Sequence, residues 1–298
     1  MDNKSVAQHY DAGANNYHKQ YDPENLLDIT KKYPANYFRL QLLINSFLNK
    51  GVKSVIEVGV GEGTPLVNLS KLGIKVAGFD ISSEMIKKAK LNFTANSLDE
   101  NSLILADIQD SMSYTHLMRG GQYDALVAMG VMPHVRNDEL CLKNMASMVK
   151  PGGSVFIEFR NKIFSLFTFN RYTYEFIMDD LLLGVSGELK NKISNNIIPR
   201  LSMDLPSPRT QHDDDSHSPG YDSILSKFHN PLTMNELFER CGFSEVNLLW
   251  YHYHPAPPSL ANDDASLFRH EALKLEHDAL GWRGMFLCSA FVVEAIKK

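Results

Sequence analysis

"SVIEVGVGEGTP", residues 54–65, decides how the chain is read. A β-rich apolar run breaks into three glycines, Gly59, Gly61 and Gly63, and Pro65 then opens a stretch that can wind into a helix. A turn of this kind, directly after a strand, brings backbone N–H groups close to a ligand only where side chains are absent. Outward from it, β-rich runs alternate with helical ones. "KVAGFD" (75–80), "SLILAD" (102–107), "YDALVAMG" (123–130) and "SVFIEFR" (154–160) read as further strands. "TPLVNLSKLG" (64–73), "SSEMIKKAKLNF" (82–93, capped by Ser82 or Ser83) and "NDELCLKNMASMVK" (137–150) read as helices between them. This alternation predicts an α/β, doubly wound, mostly parallel sheet with its ligand at the carboxyl ends of the strands.

After Arg160 the alternation fails for about seventy residues. It returns with a helix at "LTMNELFERCGF" (232–243), a strand at "SEVNLLWYHYH" (244–254) and a last strand within "GMFLCSAFVVEAI" (284–296). Residues 161–230 therefore read as an insertion, aromatic and helical at first, then rich in turn formers and charge. Insertions of that length are usually lids or substrate covers, with a disordered surface loop as the alternative. A second excursion, Pro-rich and acidic, covers 255–283.

Composition narrows the partners. With 298 residues, 44% hydrophobic content and a net charge of -5, the chain can bury one large core but offers no broad electrostatic grip on nucleic acid or an anionic membrane. Cys141, Cys241 and Cys288 lie far apart with no C-x-x-C spacing, and read as buried small hydrophobes in a reducing, cytoplasmic setting. No signal-peptide pattern or membrane-spanning run is present. The expected partner is a small molecule; on oligomeric state the sequence is silent.

The glycine spacing discriminates between nucleotide ligands. A dinucleotide fingerprint reads G-x-G-x-x-G, whereas here the third glycine comes one position early and Thr64 takes its place. Together with "EVGVGEG", the segments "GFDIS", "LADI", "YDALVAMGVMPHV" and "VKPGGSVFIEF" resemble the class I S-adenosylmethionine-dependent methyltransferases, closely over residues 54–160 and more loosely after 231. The resemblance implies a Rossmann-like, seven-stranded, mostly parallel sheet and S-adenosyl-L-methionine as cofactor. By the same resemblance, Gly59, Gly61 and Gly63, preceded by the acid Glu57, face the methionine part and ribose. Asp80 takes the ribose hydroxyls, Ile81 packs on the adenine, and Asp107 with Ile108 reads its amino edge. Met129 lines the floor below the methyl group. "HYDAGANNYHKQYD" (9–22) resembles the helix that many small-molecule members fold over the cofactor, with Tyr10 and Tyr17 toward its methionine end. "YFRLQLLINSFL" (37–48) is then the next helix, and its Arg39 a partner for the cofactor carboxylate. Each tyrosine also has a plain packing alternative.

Methyl transfer is an in-line displacement at an activated carbon, so the protein supplies alignment, exclusion of water and, for an oxygen nucleophile, a base. His134 is placed for this at the end of the fourth strand, with pairing to Asp138 as the alternative. Arg160 and Asn161 can orient a substrate hydroxyl or carboxylate, or simply tie down the insertion. His229, in "FHNPLT", is a further catalytic candidate or a turn stabiliser. "WYHYH" offers His252 and His254 on one strand face and Tyr251 and Tyr253 on the other. "QHDDDSH" (211–217) has metal-ligand residue types but reads as solvated loop, and no metal is assigned.

The expectation is a cofactor-binding domain, 1–160 and 231–298, with N-terminal lid helices in 1–50 and an inserted substrate cover at 161–230. It methylates an oxygen or nitrogen of a small acceptor, with a sugar suggested by a loose resemblance of the insertion to polysaccharide-modifying methyltransferases. The competing readings are a nicotinamide-dependent oxidoreductase and a non-catalytic binder of S-adenosylmethionine.

Overall fold

The computed structural model describes residues 3–26, 28–203 and 208–298. Its centre is a seven-stranded sheet in the order β3-β2-β1-β4-β5-β7-β6. The strands are β1 (Ser54–Val58), β2 (Lys75–Asp80), β3 (Leu103–Leu105), β4 (Tyr123–Ala128), β5 (Val149–Arg160), β6 (Phe243–Tyr253) and β7 (Cys288–Lys297). The first five run parallel and β7 inserts antiparallel between β5 and β6. The order reverses between β1 and β4, so the loops after these two strands flank a crevice at the carboxyl edge.

The helices are α1 (Asn3–Gly13), α2 (Ala35–Lys50), α3 (Thr64–Ser70), α4 (Ser83–Ala95), α5 (Asp138–Met148), α6 (Arg171–Glu175), α7 (Gly187–Ile197), α8 (Met234–Arg240), α9 (Ala265–Leu275) and α10 (Gly284–Leu287). Parallel strands covered on both faces need apolar residues on both, and β1 is buried from Val55 to Val58. One face packs Leu43 and Phe47 of α2, Leu66 of α3 and Phe93 of α4 against Val55, Val127 and Phe156. The other packs Cys141, Leu142 and Met145 of α5 and Phe238 of α8 against Ile56, Leu126 and Ile157. All three cysteines are free and buried.

The expected elements differ from these chiefly at their ends. The N-terminal helix is Asn3–Gly13, earlier than 9–22, and Tyr17–Tyr21 forms a separate 3-10 turn. Residues 284–287 of the last strand segment are helical, and Gly284, which opens this turn, sits so close to Trp250 that a Cβ there would lie 2.1 Å from its ring. The 255–283 excursion contains α9, capped by Asp264, whose carboxylate accepts from Leu267 N. Within 161–230, α6 continues as a π-helical turn, Phe176–Leu181, and α7 buries none of its residues. Among the described residues no helix is long and apolar enough to cross a membrane.

Candidate active site

The three glycines after β1 take left-handed backbone conformations, with φ of 72°, 55° and 87°. At Gly59 the lack of a side chain is also steric: a Cβ would meet Val131 Cγ2 at 2.4 Å. The loop is held by Gly59 N and Val60 N, which donate to Phe79 O, and by Gly61 N, which donates to Asp80 Oδ2 at 2.8 Å. The second oxygen of Asp80 accepts from Ser82 N, also at 2.8 Å. Burial pushes the Asp80 carboxyl above the usual range, against the pull of these N–H donors.

Below this loop lies a partly open cavity lined by residues of the glycine loop, the ends of β1, β2 and β4, and α1. Of the expected cofactor residues, Tyr10, Tyr17, Gly59, Gly61, Asp80, Ile81, Asp107, Ile108 and Met129 all line it. Sequence reasoning missed Asn3, Val6, Gln109, Val131 and Val135, which line it too. Gln109 was within reach, two positions after the acid that ends the third strand. Nothing local marks Asn3, whose amide donates to Asp107 Oδ2 across 104 positions of chain.

Helix α1 closes the cavity. Asp11 anchors it, accepting from Ser82 Oγ and Glu84 N at the start of α4. Tyr10 OH lies 3.0 Å from His134 Nε2. His134 Nδ1 lies 2.6 Å from the carbonyl oxygen of Leu225, which can only accept, so Nδ1 carries the proton and Nε2 presents its lone pair to the cavity wall and the Tyr10 hydroxyl. Burial, reinforced by the charge of Arg160, holds His134 down to about 4, so the ring is neutral at physiological pH. His134 is the one expected catalytic residue that lines the cavity.

Four other candidate residues lie outside the cavity lining, and the structure gives each of them other contacts. Arg39 is not among the lining residues; its Nη1 forms a buried ion pair with Glu158 Oε2 at 2.8 Å, beside Gly130, because a buried guanidinium requires a close counter-charge. A Cβ added at Gly63 would meet Ala89 and Phe93 of α4 at 3.4 Å. His229 lies off the cavity with Nε2 3.2 Å from Asp138, so it is His229 and not His134 that meets this carboxylate. Its backbone bridges to Arg160 O and Lys162 N, and its other ring nitrogen is buried without a partner. Asn161 is fully engaged with Met285 O, Cys288 O and Ile163 N.

Arg160 sits beside the cavity, stacked on the Tyr221 ring at 4.4 Å with Nη1 on Ser226 Oγ. Glu57 lies behind the glycine loop, and its Oε2 is buried with no hydrogen-bond partner. Burial raises its carboxyl well above the usual range. In the 211–217 loop, His212 accepts from Asp214 N and Asp215 accepts from Ser218 Oγ and His217 N. Among the described residues no group of three or more His, Cys, Asp or Glu is arranged to hold a metal ion.

A family profile described as a methyltransferase domain matches residues 34–248. The chain belongs to the class I S-adenosylmethionine-dependent methyltransferases. Its methyl donor is S-adenosylmethionine, and the nicotinamide reading is set aside. Among relatives of this methyltransferase, the ubiquinone biosynthesis O-methyltransferase of Azoarcus sp. (strain BH72) is 27% identical over 168 residues, 56% of this chain and 68% of that one. The protein of the same name from Escherichia fergusonii is 29% identical over 110 residues, 37% of this chain, and there the match spans only 44% of the relative. In fold, the methyltransferase resembles the magnesium protoporphyrin IX methyltransferase of Synechocystis PCC 6803 with bound SAH, with a TM-score of 0.54 at 13% identity, covering 100% of both chains. None of these relatives is named for a sugar acceptor.

Proposed function

We propose that this methyltransferase acts on the hydroxyl oxygen of a small aromatic acceptor, with His134 as proton acceptor. The observation that carries the reading is the fixed tautomer of His134. Its Nδ1 is committed to Leu225 O, which leaves Nε2 as a neutral acceptor at the cavity wall, 3.0 Å from Tyr10 OH. The named O-methyltransferases among its relatives favour oxygen over nitrogen.

The residues around the cavity suit S-adenosylmethionine. The orphaned Oε2 of Glu57, buried close to the glycine loop, suits the cofactor's ammonium group. Asp80 is fixed by two backbone N–H groups and keeps lone pairs for ribose hydroxyls. Ile81, Val6, Met85 and Ile108 give apolar walls for the adenine, with Asp107 and Gln109 at its edge. The cofactor when bound supplies an electrophilic methyl group.

Around it, Met129, Gly130 and Val131 shape the floor, Tyr10 and Tyr17 exclude water, and His134 Nε2 takes the acceptor's proton as the oxygen loses it. A base held near 4 is weak toward a free hydroxyl. It suffices here because the oxygen becomes strongly acidic as its new bond to carbon forms. Residues 1–160 and 231–298 make up the cofactor domain and 161–230 the cover, which contributes Leu225, Tyr221 and Ser226. The buried free thiols suit a cytoplasmic setting.

The test is transfer of radiolabelled methyl from S-adenosylmethionine to a panel of phenols, catechols, amines and sugars. Methylation of a phenol or catechol that falls by at least about a hundredfold in His134→Asn supports the reading. Methylation of amines or sugars alone overturns it.

A further inference from the structure

Arg160 ends β5 at the carboxyl edge of the sheet, half-buried. Of the neighbouring guanidiniums, Arg39 is matched by Glu158 and Arg209 by Asp222. Among the described residues Arg160 has no carboxylate within ion-pair distance, although its charge reaches Asp222. It is held by aromatic faces, Tyr221 at 4.4 Å and Phe228 at 5.8 Å, and by Ser226 Oγ. A guanidinium stacked this way is fixed in orientation while its in-plane donors keep their capacity for a planar anion. It lies close enough to the reacting end of the cavity that its charge opposes protonation of His134.

The sheet brings two histidines to the same edge. Arg160 and Tyr251 both pair with Ala290 of β7, one from each side, so His252 follows one residue after Arg160's own row. His252 has a left-handed backbone, φ 62°, which breaks the strand's alternation where the chain reaches the site. Its ring stacks on Tyr33 at 5.3 Å and its Nδ1 meets Ser289 Oγ at 2.9 Å. His254 lies 4.9 Å from His252 and 4.6 Å from Phe164, ring centre to ring centre. Neither of its ring nitrogens has a hydrogen-bond partner, although both are shut off from solvent. An imidazole stripped of water on both nitrogens is costly in a folded protein unless something else completes its bonds. Burial keeps both histidines neutral at physiological pH, so each offers one N–H donor in place of a cation.

We propose that Arg160, His252 and His254 form the acceptor-recognition end of this site, and that the group they take is a carboxylate carried on the aromatic acceptor. The cation supplies the charge complement and the neutral imidazoles supply N–H donors, with Tyr221 flanking Arg160, Tyr33 flanking His252 and Phe164 flanking His254. The inference rests on the aromatic-hydroxyl reading above and sharpens it to an acidic acceptor.

The full chain, saturated with S-adenosylhomocysteine, is titrated calorimetrically with 3,4-dihydroxybenzoate and with its neutral counterpart 3,4-dihydroxybenzamide. The same pair is assayed for methyl transfer. The wild type should prefer the acid by at least about tenfold in dissociation constant. Arg160→Met and His254→Phe should each bring that preference close to one, with Arg160→Lys intermediate. A retained thermal shift on adding S-adenosylhomocysteine certifies that each variant is folded. If neither compound is methylated but the acid is preferred and Arg160→Met removes the preference, the anion-binding end stands and the aromatic-hydroxyl reading falls. If both are methylated without preference, if neither binds, or if the preference survives both variants, the inference is overturned.

Discussion

The Arg39–Glu158 pair gives the sharpest test of how this site is built, because two accounts of Arg39 predict different measurements. If Arg39 met the cofactor carboxylate, Arg39→Met would weaken S-adenosylhomocysteine binding and leave stability nearly unchanged. Here the guanidinium lies 2.8 Å from Glu158 Oε2, and the two side chains are 7% and 8% exposed. Tyr21 OH accepts a longer bond from the same guanidinium at 3.3 Å. Removing one partner strands the other charge away from water, which costs about 3–5 kcal/mol. Replacing both with apolar chains of similar length removes the stranded charge. Urea unfolding of the wild type, Arg39→Met, Glu158→Met and the double variant closes the cycle. Each single variant should lose about 3–5 kcal/mol, and the double should lie within about 2 kcal/mol of the wild type. At about 2 °C per kcal/mol for a chain of this size, each single change lowers Tm by roughly 6–10 °C. Strictly additive losses, or single variants that stay stable but no longer bind S-adenosylhomocysteine, would refute the argument.

Four further outcomes follow from the same geometry. His134→Asn should lower kcat by about 10²–10⁴-fold while the dissociation constant of S-adenosylhomocysteine changes only a few-fold; a loss confined to cofactor affinity would remove His134 from proton transfer. His134 is held down to about 4 against an ordinary value near 6.5, so between those pH values the unfolded chain binds more protons than the folded one. Its contribution therefore makes the protein less stable as pH falls through that window. Urea midpoints measured from pH 7.5 to 5 should fall more steeply for the wild type than for His134→Gln, and equal slopes would contradict the burial of this ring. Gly59→Ala combines a left-handed backbone with a Cβ at 2.4 Å from Val131, and should cost about 2–5 kcal/mol in urea unfolding, partly restored by Val131→Ala. Gly63→Ala, whose nearest contacts are 3.4 Å, should cost about 1–2 kcal/mol from backbone strain alone.

The parts of this site that could be read from the sequence are those whose causes are local. Gly59, Gly61 and Asp80 announce themselves because a strand, a turn of positive φ and the acid ending the next strand lie within a few dozen residues. The donor loop is thus written almost contiguously. Arg39 could not be assigned this way, since its partner Glu158 lies 119 positions along the chain and only the folded sheet brings them together. His134 was placed by its distance from the fourth strand, but its tautomer depends on a carbonyl at residue 225, inside the insertion where periodicity fails. Helix α9 was missed for another reason. The prolines at 255, 257 and 258 and the acids at 263 and 264 look like loop, yet Asp264 is the cap from which "ASLFRHEALKL" winds.

Helix α1 joins the two ends of the cavity, and what holds it bears on how ligands enter. It buries only Val6, so little hydrophobic adhesion keeps it shut. Its attachments are polar: Asn3 to Asp107 at one end, Tyr10 to His134 at the other, Asp11 to the start of α4, and His9 Nδ1 2.8 Å from Pro219 O of the cover. Such bonds exchange with water and contribute about 1 kcal/mol each, so releasing the helix costs a few kcal/mol and leaves both cores intact. The same few bonds set the order of events. Asn3 occupies one carboxylate oxygen of Asp107 and Tyr10 the lone pair of His134, so on the reading proposed above α1 has to give way at one end for the adenine and at the other for the acceptor's proton. If His134 is the base, as proposed, the Tyr10 hydroxyl that covers its lone pair also shields it from water until the acceptor arrives.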